Sequence, residues 1–306
     1  MALQHYSTIE DLQELLNNEI EEERRENNFL ENTLKIAIAG EFRATELEVY
    51  GYPDANPQYF FFLEYSEEQC PYIIVRNPLS GHNLNLLKEA VPLVIAKTRD
   101  LRCKHETLLV AGDAVVCDEF ERHLSSSTND EYKPVPSLGF TGVFYMTKEQ
   151  RETLLEMDFV APAGFSFEPV DVDRDADTIH RLWKTALNIE VTKNRLRFLP
   201  SMCTRTEKGE LVGWSMAARF GQVTNLYVLP EYRNLGLGKT LELSVAKEFA
   251  SRGMRVFKYV ETTNTPVYEG SLRSPLWTLW TYGSEDNNES KTPMLHTCKR
   301  FEKVAK

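Results

Sequence analysis

Apolar positions near the start of the chain fall at Leu12, Leu15, Leu16 and Ile20. This spacing predicts a helix with one apolar stripe, and Ser7 with Glu10 supplies a capping box at its start. The charge run "EIEEERRE" (19–26) reads as the solvated side of that helix. The pattern then changes to short runs of aromatic and β-branched residues. "QYFFFLEY" (58–65), "PYIIVRN" (71–77), "TLLVAGDAVVCD" (107–118) and "TGVFYMT" (141–147) predict strands, and "LNLLKEAVPLVIAK" (84–97) predicts a helix interrupted near Pro92. Two seams follow, the polar "SSSTNDEYKPVPS" (125–137) and "MDFVAPAGFSF" (157–167).

After the second seam, elements alternate. "FSFEPV" predicts a strand. "DRDADTIHRLWKTAL" predicts a helix with Ile179, Leu182, Trp183 and Ala186 on one face, and "TKNRLRFL" a shorter helix. "SMCTRT" and "LVGWSMAA" form a hairpin around "EKGE". "QVTNLYV" is a strand, "KTLELSVAKEFASRG" a helix ending at Gly253, and "RVFKYVE" another strand. The residues after Trp280 are polar and predict a poorly ordered tail. No long internal repeat is visible. The pattern divides the chain into 1–157, 158–283 and a polar tail at 284–306.

Length and charge narrow the classes. A chain of 306 residues is comfortable for two domains. A net charge of −11 argues against general nucleic-acid binding and against an acidic membrane surface. No apolar run approaches the roughly 20 residues that span a bilayer. The acidic opening lacks a secretory or transit pattern, and five scattered cysteines fit a reducing compartment, so the expected location is the cytoplasm. "RCKH" with Cys117 matches no standard zinc spacing, which favours structural cysteines over a metal site.

The candidate chemistry lies in "LYVLPEYRNLGLGKT" (226–240). A P-loop needs glycine where Arg233 stands, and a dinucleotide fingerprint needs glycine where Leu241 stands. What is left is a strand, a turn, Arg-x-x-Gly-x-Gly and a helix. That order, with a hairpin before it, resembles the GCN5-related N-acetyltransferase superfamily, whose Gln/Arg-x-x-Gly-x-Gly/Ala signature appears here as "RNLGLG" (233–238).

The resemblance implies an α/β fold: a mixed β-sheet flanked by helices, preceded by a second α/β unit that could be a degenerate copy. It implies acyl-coenzyme A as co-substrate, a small amine as acceptor and no metal. The pyrophosphate would rest on backbone N–H groups at a helix N-terminus. Tyr227, Val228, Arg233, Asn234, Leu235, Gly236, Leu237, Gly238, Lys239 and Asn264 are then the cofactor-binding candidates. Two strands would splay around pantetheine, with a backbone N–H near Val228 polarising the thioester carbonyl.

"GFSFEPVDVDRDADTIHRLWK", "LPEYR", "VETTN" and "WTLW" further resemble the glycine N-acyltransferase family, which carries an N-terminal half of similar size. That likeness implies acyl transfer to glycine or another small amino acid. It also suggests a first half that walls the acceptor pocket or supports homodimerisation, and it leaves a mitochondrial location open. Other readings are an acetyltransferase for peptides or polyamines, and a non-catalytic acyl-coenzyme A-binding module.

One position departs from the family. Its proposed general base is a glutamate eleven residues before the signature arginine, and that position is Gln222. An amide accepts no proton at neutral pH, which leaves another carboxylate (Glu231 or Glu261) or a water chain as base. Tyr268 is the candidate acid for the departing thiolate. Trp277 and Trp280 read as core aromatics.

Overall fold

Aromatic and β-branched runs prefer pleated, half-buried surfaces, and here they assemble one large sheet. A computed structural model describes residues 1–19, 28–40, 42, 44–78, 81–126, 132–136, 139–184, 186, 188–282 and 292–304. Nearly all of the expected charge run at 19–26 and the middle of the polar loop at 125–137 lie outside the described residues.

The first half runs β1 (Gln4–Tyr6), α1 (Ile9–Glu19), α2 (Asn28–Ala39), β2 (Glu46–Tyr52), β3 (Tyr59–Tyr65), β4 (Tyr72–Arg76), α3 (Leu84–Lys97), α4 (Arg99–Lys104), β5 (Thr107–Asp113), α5 (Ala114–Ser126), β6 (Tyr132–Pro134), β7 (Phe140–Tyr145) and α6 (Lys148–Glu156). The second runs β8 (Phe165–Glu168), α7 (Val172–Leu182), α8 (Ile189–Phe198), β9 (Ser201–Thr206), β10 (Leu211–Ala217), β11 (Val223–Val228), α9 (Leu237–Ser251), β12 (Phe257–Glu261), α10 (Thr265–Arg273), β13 (Thr278–Leu279), β14 (Thr281–Tyr282), β15 (Thr292–Pro293) and β16 (Leu295–Lys303).

The sheet order is β1-β2-β3-β4-β5-β16-β7-β12-β11-β10-β9-β8. Each half therefore presents a strand, two helices, three antiparallel strands, a helix and a parallel fifth strand. β4 pairs in parallel with β5, and β11 with β12. The fold is duplicated although no sequence repeat announces it. The terminal strands are exchanged: β7 of the first half pairs with β12, and β16 of the second pairs with β5. The two exchanged strands pair with each other at the centre. The second half's core packs Phe249, Val256 and Trp277 beneath α9, while the first half's packs Tyr59, Phe61, Val91 and Phe120 beneath α3 and α5.

Several expectations change. Residues 292–304, predicted as part of an unordered tail, hold β16, whose Phe301 is fully buried and whose backbone pairs from His296↔Asp113 to Glu302↔Thr107. The waiting edges of β5 and β7 supply hydrogen-bonding partners that a polar composition does not reveal. The strand expected over 107–118 ends at Asp113, where α5 begins. α3 runs unbroken through Pro92, because Leu87, Ala90, Val91, Val94 and Ile95 are buried on its inner face. The helix expected over 173–187 ends at Leu182, capped by Trp183. The opening cap forms one residue later than predicted: Thr8 Oγ1 accepts from Asp11 N (3.0 Å), and Asp11 Oδ2 accepts from Thr8 N (2.9 Å).

The halves also meet through buried polar groups. Asn32 on α2 donates to the Gly221 carbonyl (3.1 Å) and the Arg255 carbonyl (2.8 Å), and accepts from Arg255 N (2.8 Å). Glu31 pairs with Arg255 at 2.6 Å, and Glu64, fully buried, faces Arg219 at 3.6 Å.

Ending the chain after residue 291 removes β16 and bares β5 and β7. The truncated protein is expected to be insoluble or to lose cooperative unfolding in urea. Unfolding like that of the full chain would show that the strand is dispensable.

Candidate functional site

β11 has two different neighbours. On one side it pairs antiparallel with β10, from Ala217↔Val223 to Gly213↔Val228. On the other it meets β12 only at Val223↔Lys258, after which the two strands diverge. The result is a wedge whose apex is this pair. Between Thr224 and Tyr227 the register shifts by one residue, with Asn225 at φ 48°. Such a bulge leaves a residue outside the ladder and twists the strand locally. Leu229 N donates to Val212 O at 2.9 Å, so by antiparallel alternation the N–H and C=O of Val228 point away from β10 and into the wedge.

The apex is braced by buried charge. Lys258 Nζ lies 2.7 Å from both carboxylate oxygens of Glu242 on α9, and Trp277 Nε1 donates to Glu242 at 3.0 Å. The same ammonium sits 4.3 Å over the Trp277 ring. Burial pulls the Lys258 pKa down against the pull of Glu242. Trp277 is thus a core aromatic with a polar partner, as its sequence context suggests.

Beyond Val228 the chain turns through Pro230–Tyr232 and enters α9. Asn234 and Gly236 take left-handed backbone angles, φ 64° and 81°. Gly236 is the N-cap and offers no side chain to the first turn, so the N–H groups of Leu237, Gly238 and Lys239 have no intrahelical acceptor. Open, unpaired donors at a helix N-terminus form an anion site. Arg233 braces this turn: its Nε donates to Val228 O at 2.9 Å and its guanidinium lies 5.7 Å from the Tyr227 ring centre. Tyr227 in turn stacks on Trp214 at 5.0 Å. Leu235 and Lys239 are exposed. Asn264 caps α10 without a side-chain hydrogen bond and is also exposed.

Gln222 lies just before β11, on the opposite side of the apex. Its Oε1 is buried without a protein partner, and it lines a cavity of about 550 Å³ between the halves. The turn that ends α7 brings Trp183 and Lys184 to that cavity and α8 brings Arg195; β4 and β16 bring Tyr72, Cys298 and Arg300. Arg195 lies 5.3 Å over Trp183, and its Nε is buried and unpartnered. Burial raises the Cys298 thiol to about 11 and holds the Tyr72 hydroxyl well above its ordinary value, so both stay protonated. Glu68, His105 and Glu106 also line this wall, and His105 Nε2 lies 3.0 Å from the Ser66 carbonyl. Glu231 and Glu261, the carboxylates considered from sequence, are exposed and lie elsewhere. Arg195 was missed in the sequence because it reads there as one basic residue of a short amphipathic helix.

Tyr268 is not brought to Gln222. Its ring meets Phe144 edge-on at 5.2 Å and lies against Gly142, both on β7, across β12 from the wedge. Burial raises its pKa. Cys117, weighed earlier with "RCKH", is buried with Sγ 3.7 Å from Val110 O and 3.6 Å from Thr297 O.

An FR47-like protein family model matches residues 202–269, the segment from β9 into α10 that contains the wedge. A solved Drosophila protein, 16% identical, superposes with a TM-score of 0.73 over 98% of this chain and 98% of its own. A GCN5-related N-acetyltransferase from Sphaerobacter thermophilus, 12% identical, gives 0.53 over 98% of this chain and 95% of its own. The fold is that of the GCN5-related N-acetyltransferases. Its elements occur twice along this chain.

Gln222 is positioned by Gly221. That glycine has φ 77°, and a Cβ there would stand 2.4 Å from Asn32. A left-handed angle costs a non-glycine residue about 1–2 kcal/mol and overpacking about 1–3 kcal/mol. Gly221→Ala is therefore expected to destabilise the protein by about 2–5 kcal/mol, read as a lower urea midpoint at unchanged slope. A midpoint equal to wild type would remove Gly221 and Asn32 from the account of this seam.

Proposed function

We propose that the chain is an acyl-coenzyme A-dependent N-acyltransferase whose acceptor is glycine or another small amino acid. One observation carries the reading: a single strand, β11, presents a cofactor wedge and anion site at one end and the Gln222 cavity at the other. Acyl-coenzyme A would bring the activated thioester. The residues fit it: N–H groups of α9 for pyrophosphate, the inward N–H of Val228 for the polarised carbonyl, and Asn264 near the wedge for the chain between them. The acceptor enters through the other cavity. Its cationic lining of Lys184, Arg195 and Arg300 suits the carboxylate of an amino acid, with the amine towards Gln222.

In the transfer a C–N bond forms and the C–S bond breaks, the amine loses a proton and the thiolate gains one. Gln222 can orient the amine by accepting a hydrogen bond through its free Oε1, but it cannot remove the proton. Glu68, His105 or Glu106 would take it through water. Tyr268 packs against β7, across β12 from the wedge, so the thiolate would take its proton from water. A second reading, a binding module without turnover, is favoured by the amide at position 222 alone.

Coenzyme A at a hundred times its Kd is expected to stabilise the wild type by about 2.7 kcal/mol. Gly236→Val imposes a β-branched side chain on a left-handed angle and should abolish that gain while the protein still unfolds cooperatively. Equal gains for both proteins would remove this loop from the cofactor site.

Gln222→Glu places a proton acceptor where the amine is expected. Positioned bases contribute roughly 10²–10⁴-fold, so turnover with glycine should rise at least tenfold near neutrality and depend less on pH up to 9. A slower variant would show that the base lies elsewhere on the cavity wall. Tight acyl-coenzyme A binding with no turnover in either protein would establish the binding module.

A further inference from the structure

The first half has a wedge of its own. β4 and β5 pair from Tyr72↔Leu109 to Ile74↔Ala111 and then part, leaving Arg76 on one side and Asp113 on the other. The opening holds a cavity of about 140 Å³, closed by β12, β16 and the turn at Trp280. Both halves therefore contribute to its wall.

The wall carries one buried charge of each sign, and both are engaged. Asp113, 6% exposed, accepts from Val115 N at 2.7 Å and stands 3.2 Å from His82 Nε2. Arg76, 3% exposed, lies 5.2 Å over the Phe60 ring and is likewise occupied. An anion in this cavity would face Asp113, and a cation would face Arg76. A neutral polar ligand avoids both costs.

Asn77 Oδ1, His82 Nδ1 and His296 Nε2, all on cavity-lining residues, have no hydrogen-bond partner among the described residues. Asn77 Oδ1 is an acceptor. With the His82 Nε2 hydrogen directed at the Asp113 carboxylate, Nδ1 is an acceptor too. His296, 8% exposed, stacks on Tyr259 at 4.1 Å. Burial pushes its pKa down to about 4, so the neutral ring can present an Nε2 hydrogen to the cavity. The pattern is two acceptors and one donor. Ile74, Val143 and Met294 make the rest of the lining apolar, and water, which needs about two to four polar partners, fills such a surface poorly.

We propose that this cavity binds a small neutral primary carboxamide. Its NH2 group donates to Asn77 Oδ1 and His82 Nδ1, its carbonyl accepts from His296 Nε2, and its short alkyl chain lies against Ile74, Val143 and Met294. An alcohol, with a single O–H, would leave one of the two acceptors unpaired. An apolar cavity of about 150 Å³ admits benzene, so this volume suits about six non-hydrogen atoms and excludes coenzyme A. The site is separate from the anion site at α9 and does not depend on acyl transfer.

The test is a saturation-transfer NMR titration of the full-length protein with butyramide. Butyrate, which lacks both N–H donors, and 2-pentanone, a methyl ketone of the same shape, are the controls. Butyramide is expected to bind saturably, and each control at least tenfold more weakly. His296→Phe keeps a ring against Tyr259 and removes Nε2, so it should fold and bind butyramide at least tenfold more weakly. If that variant does not fold, Asn77→Ala, at a half-buried loop position, is expected to weaken binding at least threefold. No saturable butyramide signal would leave the cavity to water and overturn the proposal. So would either control binding as tightly as butyramide, or a folded variant binding as tightly as wild type. Displacement of butyramide by coenzyme A would place it in the other wedge and overturn the assignment as well.

Discussion

The antiparallel pairing of β7 with β16 is the constraint on which everything else depends. Without it the sheet would split in two, with β16 and β7 as bare edges carrying rows of unpaired backbone groups. Because each half lends its last strand to the other, neither sheet is complete alone, and the two cores are joined by one hydrogen-bonded ladder. The cavity that holds Gln222 exists because of this exchange. Its walls are α8 and the turn that ends α7 on one half, and β4 and β16 on the side of the other.

Buried charge adds orientation. Taking an ion pair out of water costs several kcal/mol per ion, so such pairs are weak evidence for stability, whereas breaking one costs about 3–5 kcal/mol. Here they stand at the seams. Lys258–Glu242 fixes the apex of the wedge, Arg219–Glu64 crosses between halves, and Arg205–Asp175, 2.6 Å apart, ties α7 to β9.

The two wedges have diverged by local chemistry. In the second half, left-handed Asn234 and Gly236 bring bare backbone donors to the helix start. In the first, Asn83 caps α3 with its own side chain, accepting from Leu86 N at 3.3 Å, and a stacked His296–Tyr259 pair fills part of the space. One architecture thus presents an open anion site on one side and a small enclosed polar cavity on the other.

Local signals in the sequence determined much of the second half. The alternation of elements, the turn at "RNLGLG" and the position of Gln222 are written in neighbouring residues, because a hairpin, a helix start and a glycine turn are each fixed within a few positions. No sequence repeat showed the duplication, which only the family resemblance raised, since the two halves keep the same order of elements without the same side chains. The strand at 295–303 was hidden as well: its polar residues become a central strand only because two distant edges await it. Arg195, Tyr72 and Arg300 gave no signal either, as a cavity wall gathered from four elements has no spacing in sequence. What the chain determined alone was short-range turn and helix chemistry. Tertiary structure decided which strands complete which sheet, and so which side chains face one another, because long-range pairing depends on edges that only the folded molecule possesses.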